Sequence, residues 1–298
     1  MPEGDSVLQL ANRLKWMPGR EVLHSDFRVP ALATASITGE RIQAVWPYGK
    51  HLFIQAGERI LHTHLKMEGV WAIHAAGSRW RRPGYTARVV LRLSPQHPGG
   101  PPIEVVGHEL GFVRLFPARD YAAVVQHLGP DILDPGWASE EFRDTGRSGR
   151  DEALRRILRR PDRSLGAALL DQRNVAGIGN EYRAEVMFLI GLHPAVPVGR
   201  MGEAKVAQVL DLARRVMWEN RLEPHRVFTG DRRPGMGTFV FGRAAKPCRR
   251  CGEPIEQSTL GGRFAGGDPE LDAGELERII WWCPHCQPGG DACPSSSP

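Results

Sequence analysis

The sequence predicts an α+β protein of about two domains, with a mainly β N-terminal part, a helical C-terminal part and a cysteine-containing end. Three observations predict this order. The chain has 298 residues, about the length of two domains. Short apolar segments separated by Gly and Pro fill residues 21–116, whereas helical spacing of apolar residues dominates from residue 151 onward. All five cysteines lie between Cys248 and Cys293.

The N-terminal elements follow from apolar spacing. Residues 5–17 predict a helix whose apolar face consists of Val7, Leu10, Ala11 and Leu14. We expect Asp5 to cap its start. The segments after residue 21 predict a β-sandwich or a barrel, in which residues 77–84 and 94–102 are loops.

A stretch rich in Asp, Gly and Pro at residues 130–149 predicts a hinge. The helices predicted after it span residues 151–160, 165–172, 181–190 and 203–219. Ser164 is the expected N-cap of the second of these helices.

Charge and composition exclude several classes of protein. Lys and Arg number 39 against 34 Asp and Glu, so the net charge is +5, which permits a polyanionic partner. No apolar run approaches the roughly 18 residues of a membrane helix. The acidic first five residues have no signal-peptide character. We therefore expect a cytoplasmic protein rather than a membrane, secreted or fibrous one.

Two Cys-x-x-Cys pairs are the strongest local signal. Cys248 with Cys251 and Cys283 with Cys286 supply four thiolates, the donor set of a structural zinc ion. The 31 residues between the pairs exceed the usual spacing, and residues 264–277 resemble an insertion at the tip of a hairpin. The alternative is a set of unliganded or redox-active cysteines. Cys293 is expected to be a bystander.

Two other segments predict chemistry. In residues 169–180 a helix ends, a turn with Gly177 and Gly179 follows, and a new helix starts near Asn180, which is typical of a phosphate site. An ordinary helix–helix turn is the alternative. At the N-terminus, removal of Met1 would leave Pro2 with a secondary amine, of which roughly a tenth is neutral at pH 7. Such an amine forms a Schiff base with a sugar, and Glu3 beside it is a candidate proton donor or acceptor.

Basic residues are placed suggestively as well. Lys50 lies in a turn before a predicted strand, and eight arginines lie between Arg143 and Arg163, a stretch that suits a phosphate backbone. A solvated helix face is the alternative. His62 and His64 alternate on a strand and are interpreted as structural, because no third ligand is evident.

Taken together, these segments resemble the formamidopyrimidine-DNA glycosylase / endonuclease VIII family, and most closely its actinobacterial endonuclease VIII-like branch. The matching segments are residues 2–4, 48–53, 63–69 and 169–180 and the paired cysteines. The resemblance implies a two-layered N-terminal β-sandwich with flanking helices. It also implies a C-terminal helix–two-turn–helix domain with a zinc-finger hairpin, and DNA in the cleft between the domains.

The resemblance also implies residue roles. Pro2 matches the Schiff-base nucleophile, Glu3 the acid/base, and Lys50 the lysine that contacts the phosphate beside the lesion. Asn180 matches the asparagine that binds phosphate, and Lys66 and Met67 match the residues that fill the gap left by the extruded base. The arginine at the hairpin tip matches Arg278 or, as the less favoured alternative, Arg263.

The implied function is a bifunctional DNA glycosylase and AP lyase, with oxidised pyrimidines favoured. The expected partner is duplex DNA, the expected cofactor one structural zinc ion, and the expected state a monomer. Two alternatives stay open, an inactive damaged-DNA-binding protein and a zinc-ribbon RNA-binding protein. The predicted domains are residues 1–130, a hinge at 131–150, the helical domain at 151–237, the hairpin at 238–287 and a disordered tail at 288–298.

Overall fold

The first helix illustrates how local patterning positions the N-terminus. In the computed structural model, which describes residues 2–97, 99–260 and 278–289, α1 spans Gly4–Leu14 and buries Val7, Leu10, Ala11 and Leu14 as predicted. The prediction that Asp5 caps this helix was wrong. The N-cap is Glu3, because its backbone N–H is met by the hydroxyl of Ser6, three residues on. The helix starts one residue earlier than the sequence suggested.

Eight antiparallel strands follow α1 and form two four-stranded sheets. The strands are β1 (Val22–Phe27), β2 (Ile42–Tyr48), β3 (His51–Ala56), β4 (Arg59–His64), β5 (Val70–Ala75), β6 (Ala87–Leu93), β7 (Ile103–His108) and β8 (Phe112–Pro117). One sheet has the order β1-β6-β7-β5 and the other β2-β3-β4-β8. A short helix, α2 (Tyr121–Val125), comes after β8.

One core joins the two sheets and α1. Its buried members include Leu14 of α1, Ile54 of β3, Leu91 of β6 and Val105 of β7. In β3 and β6 alternate residues face this core, namely Leu52, Ile54 and Ala56, and Val89, Leu91 and Leu93, as the period of two requires. The predicted two-layered β-sandwich with a flanking helix is therefore confirmed.

The C-terminal part is mainly helical. Its helices are α3 (Gly149–Leu158), α4 (Leu165–Leu170), α5 (Asn180–Leu189) and α6 (Gly202–Asn220), each within two residues of the prediction at both ends. The hydroxyl of Ser164 accepts the backbone N–H of Ala167, so the predicted N-cap is confirmed. A two-stranded hairpin of β9 (Glu256–Leu260) and β10 (Arg278–Trp282) follows.

The chain divides into two compact units, residues 1–127 and 128–298. The whole of the predicted insertion at residues 264–277, Arg263, Cys293 and most of the predicted disordered tail lie outside the described residues. Among the described residues, no helix is both long and apolar enough to cross a membrane.

Candidate functional site

The start of α1 brings Pro2 and Glu3 together. Pro2 is half-buried, and Glu3, at the N-cap, has an extended backbone and is fully buried. Gly19, which follows α1, donates its N–H to the carbonyl of Ile42 at the beginning of β2, 2.8 Å away. The first turn of α1, with Glu3, is therefore the end of the helix that lies away from Ile42. A buried carboxyl next to the candidate amine is the arrangement that proton transfer requires.

Strand register places Lys50 and Lys66 at one end of the sandwich. Lys50 lies in the turn between β2 and β3, and Gly49 before it takes a φ of +55°. His51, directly after Lys50, pairs across the sheet with His64, two residues before Lys66. The two lysines that the sequence singled out are thus neighbours in space.

The loop between β4 and β5 presents Met67 to solvent. The N–H of Gly69 donates to the carbonyl of Leu65, 3.0 Å away, and a Cβ at Gly69 would stand only 2.4 Å from that oxygen. Lys66 takes a left-handed φ of +51° and donates its backbone N–H to Nδ1 of His64, 2.8 Å away. Met67 at the loop tip is 61% exposed. An exposed flexible apolar side chain on a tightly held loop can enter a gap in a stacked surface.

Three histidines lie beneath this loop, one more than the sequence interpretation recognised. Nδ1 of His51 and Nε2 of His62 are 2.8 Å apart, and the rings of His51 and His64 meet edge to face. Burial, reinforced by His62, lowers the pKa of His51 to about 2, and burial lowers the pKa of His62 and His64 to about 4. The trio is therefore neutral at pH 7, and the nearby positive charge comes from Lys50 and Lys66. The structural interpretation of His62 and His64 agrees with this packing.

In the second unit, the turn before α5 is stabilised by one side chain. The amide of Gln172 donates to the carbonyls of Leu170 and Ile178 and accepts the N–H of Gly177, with all three distances between 2.8 and 3.0 Å. Gly177 has a φ of +111°, which favours glycine. Asn180 is the first residue of α5, so the positive end of the helix dipole lies at this turn.

Asn180 also contacts the hairpin. Its Nδ2 donates to the carbonyl of Ile279 in β10, 3.0 Å away, and the buried guanidinium of Arg183 bonds both Asn180 and the same carbonyl. Arg278 is exposed at the start of β10 and directly precedes Ile279. Sequence reasoning missed Arg183, although its position one helical turn after Asn180 was a usable signal.

A second residue that the sequence did not reveal is Glu185. Its buried carboxylate accepts the backbone N–H groups of Phe239, Val240 and Phe241 at 2.8–2.9 Å. Burial raises the pKa of Glu185 to about 7, and the three hydrogen bonds oppose this rise. This contact fastens α5 to the segment that leads into the first cysteine pair.

The structure gives four of the eight arginines another role than the predicted phosphate contact. Arg155 and Arg156 bond the carboxylate of Glu152, which is almost fully buried. Arg150 bonds Asp211, and Arg163 bonds Asp171 at 2.7 Å. Arg155 and Arg156 thus share one carboxylate within α3, Arg150 joins α3 to α6, and Arg163 bonds the residue that follows α4.

The four cysteines converge as predicted. The sulfurs of Cys248, Cys251, Cys283 and Cys286 all lie within 4.8 Å of one another. Cys251 and Cys283 are 3.4 Å apart and Cys248 and Cys286 are 4.0 Å apart, which rules out disulfides. In a tetrahedral site with metal–sulfur bonds of about 2.3 Å, neighbouring sulfurs are about 3.8 Å apart. The geometry fits a tetrahedral metal ion, and no other metal-ligating cluster occurs among residues 2–97, 99–260 and 278–289.

Family models match both units. The formamidopyrimidine-DNA glycosylase N-terminal domain matches residues 1–102, and the formamidopyrimidine-DNA glycosylase H2TH domain matches residues 146–225. A probable endonuclease 8 2 of Streptomyces coelicolor is 39% identical over 97% of this chain and 95% of its own length. A DNA-(apurinic or apyrimidinic site) lyase Nei2 of Mycolicibacterium smegmatis is 36% identical over 96% of this chain and 99% of its own length.

Solved structures agree with this at the level of the fold. The formamidopyrimidine-DNA glycosylase of Lactococcus lactis, bound to DNA with an abasic site, matches with a TM-score of 0.73 and 18% identity over 96% of this chain and all of that one. MutM in complex with DNA that contains carbocyclic 8-oxo-G matches with a TM-score of 0.72 and 19% identity over 97% of this chain. The fold of this chain is that of a formamidopyrimidine-DNA glycosylase. This chain belongs to the formamidopyrimidine-DNA glycosylase / endonuclease VIII family.

Proposed function

We propose that this chain is a bifunctional DNA glycosylase and AP lyase of base excision repair. The observation that carries the proposal is the fully buried Glu3 beside Pro2 at the start of α1, in a chain 36–39% identical to enzymes named as endonuclease 8 and AP lyase. A protein that only bound damaged DNA would need neither residue.

The proposed chemistry begins at Pro2 after loss of Met1. The neutral amine attacks C1′ of the damaged nucleoside, the glycosidic bond breaks, and the base leaves with the bonding electrons and a proton. Glu3 protonates the ring oxygen, the sugar ring opens, and an iminium ion joins the Pro2 nitrogen to C1′. Loss of a C2′ proton then expels the 3′-phosphate, a second elimination expels the 5′-phosphate, and water releases Pro2.

The remaining residues bind and orient the DNA. Lys50 contacts the phosphate beside the lesion, next to the reacting nucleotide. Asn180 with the N-terminus of α5, and Arg278 at the start of β10, contact further phosphates. Arg263 is the alternative to Arg278. Lys66 and Met67 fill the gap left by the extruded base, because a flipped nucleotide leaves its neighbours without a stacking partner.

The proposed substrate is duplex DNA with oxidised pyrimidines or abasic sites. The support is that two relatives named endonuclease 8 2 are 39% and 37% identical, whereas two named formamidopyrimidine-DNA glycosylase are 30% and 25% identical; one named endonuclease 8 is 26% identical. We propose that the protein acts as a monomer in the bacterial cytoplasm, at the nucleoid.

The four cysteines are proposed to hold one structural zinc ion. All four ligand positions are filled by protein, so no position remains for water or substrate, and the ion takes no part in the reaction. Its role is to fix the hairpin that carries Arg278.

The proposed domain roles keep the predicted boundaries. Residues 1–130 carry the nucleophile and residues 131–150 form a hinge. Residues 151–237 form the helix–two-turn–helix domain, residues 238–287 form the hairpin, and residues 288–298 form a tail. The matches at residues 1–102 and 146–225 support the first and third of these segments.

A comparison of strand cleavage by the wild type and by Glu3→Gln tests the proposal. On a duplex with one oxidised pyrimidine, the wild type is expected to cleave the strand, and Glu3→Gln to bind the duplex but not to turn it over. Glu58→Gln, at an exposed turn, is the matched control and is expected to cleave normally. If the wild type and Glu3→Gln bound the duplex equally and the wild type did not cleave it, the inactive damaged-DNA-binding protein would be favoured. A preference of the wild type for single-stranded RNA would favour the zinc-ribbon RNA-binding protein.

A further inference from the structure

The loop between β5 and β6 carries an unusual surface that none of the residues above explains. Arg79, Arg81 and Tyr85 are all exposed, and Tyr85, at 82%, is the most exposed large apolar or aromatic side chain in the described part of the chain. We name residues 79–85 the basic loop.

The basic loop is anchored by its one half-buried aromatic residue. Nε1 of Trp80 donates to Oε2 of Glu104 in β7, 3.0 Å away, and the indole packs on Ala87, Val90 and Val106 on the outer face of the sheet. The guanidinium of Arg28 lies 5.4 Å from the centre of the Trp80 ring. The side chains on either side of Trp80 are therefore presented on a fixed loop, which reduces the entropy lost on binding.

Strand register carries the C-terminal end of the basic loop, with Tyr85, to the end of the sandwich that holds Met67. β5 and β6 both pair antiparallel with β7, so they run parallel to each other, and Val70 and Ala87 both pair with His108. The loop therefore leaves the far end of β5, where the N–H of Ser78 donates to the carbonyl of Ala75, and crosses the outer face of the sheet. It reaches, at Tyr85, the end where β5 begins, three residues after Met67. The N–H of Glu109 donates to the carbonyl of Thr86 at 2.8 Å, which fixes this arrangement.

Charge pairing leaves two cations of the loop available. Arg82 forms an ion pair with Glu109, Arg28 with Asp26, and Arg88 donates to the carbonyl of Tyr85. Arg79 and Arg81, by contrast, form no ion pair or hydrogen bond with any residue in the described ranges. Two uncompensated guanidinium groups beside an exposed phenol match the contacts that proteins make with phosphate oxygens.

We propose that Arg79, Arg81 and Tyr85 form a second DNA-contact surface, which binds the phosphate backbone of the duplex outside the lesion. The inference rests on the proposed function, because the loop ends at Tyr85 on the side of the sandwich that holds Lys50 and Met67, and its two unpaired cations suit a phosphate backbone that extends past this end. The two guanidinium groups donate charge-assisted, bidentate hydrogen bonds to phosphate oxygens, and the Tyr85 hydroxyl adds an uncharged hydrogen bond. This surface lengthens the stretch of duplex that the protein engages.

The test compares two charge-matched double variants. Arg79→Ala/Arg81→Ala removes the proposed contacts, and Arg59→Ala/Arg119→Ala removes two exposed arginines at the opposite end of the sandwich, where Arg59 pairs with Pro117. Affinity is measured by fluorescence anisotropy against salt, on a long duplex and on a short duplex confined to the lesion and its nearest neighbours. Thermal unfolding checks that both variants fold.

The proposal predicts that only Arg79→Ala/Arg81→Ala loses DNA affinity, and only on the long duplex. For Arg79→Ala/Arg81→Ala the slope of log K against log salt on the long duplex should fall by about 1.8, since each phosphate contact contributes about 0.9. Tyr85→Ala should weaken binding at an unchanged slope. Equal slopes of log K against log salt for the two double variants on the long duplex would overturn the proposal.

Borohydride trapping of the wild type on the short abasic duplex separates the two possible failures. Trapping by the wild type together with equal slopes for the double variants would overturn the basic loop alone. A wild type that neither traps nor binds would overturn the proposed function, and this surface with it.

Discussion

The side-chain amide of Asn180 donates a hydrogen bond to the main-chain carbonyl of Ile279, 3.0 Å away. This bond joins the first residue of α5 to β10, one residue after Arg278. Two candidate phosphate ligands from segments almost a hundred residues apart are therefore held in one local arrangement.

Asn180 and Arg278 should differ in how they change DNA binding. Asn180→Ala should weaken binding about tenfold, as for the loss of a hydrogen bond to a charged group, with no change in salt dependence. Arg278→Ala should reduce the salt slope by about 0.9, because a cation is removed. Anisotropy titrations over a range of salt concentrations measure both. An unchanged slope for Arg278→Ala would show that it contacts no phosphate.

Met67 should affect catalysis without affecting stability. Because its side chain is 61% exposed, Met67→Ala should leave the melting temperature unchanged but slow excision about tenfold, since extrusion of a base costs a few kcal/mol that the wedge offsets. The buried Leu65 is the structural control, and Leu65→Ala should cost about 2–5 kcal/mol of stability. Single-turnover excision and thermal melts provide the two readouts. Normal excision by Met67→Ala would contradict the proposed role.

Zinc content should follow Cys251 and not Cys293. Elemental analysis should find one zinc ion per wild-type chain and close to none in Cys251→Ser, because the fourth thiolate ligand is lost. The Cys251 variant should also lose DNA affinity, since the hairpin that carries Arg278 depends on the ion. Cys293→Ser should keep its zinc. A full complement of zinc in Cys251→Ser would refute the four-cysteine site.

Asp171 should make stability depend on pH at the acid end. Burial opposes ionisation of this carboxyl, but hydrogen bonds from Arg173 and Arg163 outweigh it and hold its pKa at about 2. A depressed pKa stabilises the folded state above the unfolded value of about 3.9, and this contribution disappears as the pH falls toward 2.

Asp171→Asn should therefore lose about 3–5 kcal/mol at pH 7, and its deficit relative to the wild type should shrink as the pH is lowered. Denaturant unfolding between neutral and acid pH measures the deficit. The exposed Asp162→Asn is the control and should match the wild type throughout. A deficit for Asp171→Asn that stayed constant with pH would contradict the assignment.

Local patterns predicted most of the helices because the information lies within a few turns of chain. The helix predicted at residues 203–219 is observed at Gly202–Asn220, since its apolar face alone defines it. The Asp5 cap failed because a competing cap two residues earlier, Glu3 with Ser6, satisfies the helix start.

Contacts between separate elements could not be predicted, because the local pattern around either partner does not encode the other. Nothing local indicates that Arg163 binds Asp171, or that His51 completes a trio with His62 and His64 across two strands. The arginine-rich stretch resembled a phosphate site in part because two of its acidic partners, Asp171 and Asp211, lie outside the stretch. The cysteines were predictable because their spacing itself encodes the donor set.

Borohydride trapping on an abasic-site duplex tests the central claim, that Pro2 is the nucleophile, most directly. Borohydride reduces the iminium to a stable amine, so the wild type should give a covalent protein–DNA band. Both variants keep an N-terminal amine, but a primary one in place of the secondary amine of proline. The hindered amine of Pro2→Thr should give no band, and Pro2→Gly, with an unhindered amine, serves as the comparison. N-terminal sequencing checks that Met1 is absent. A wild-type protein that begins at Pro2 and forms no band, or a band that persists in Pro2→Thr, would contradict the account.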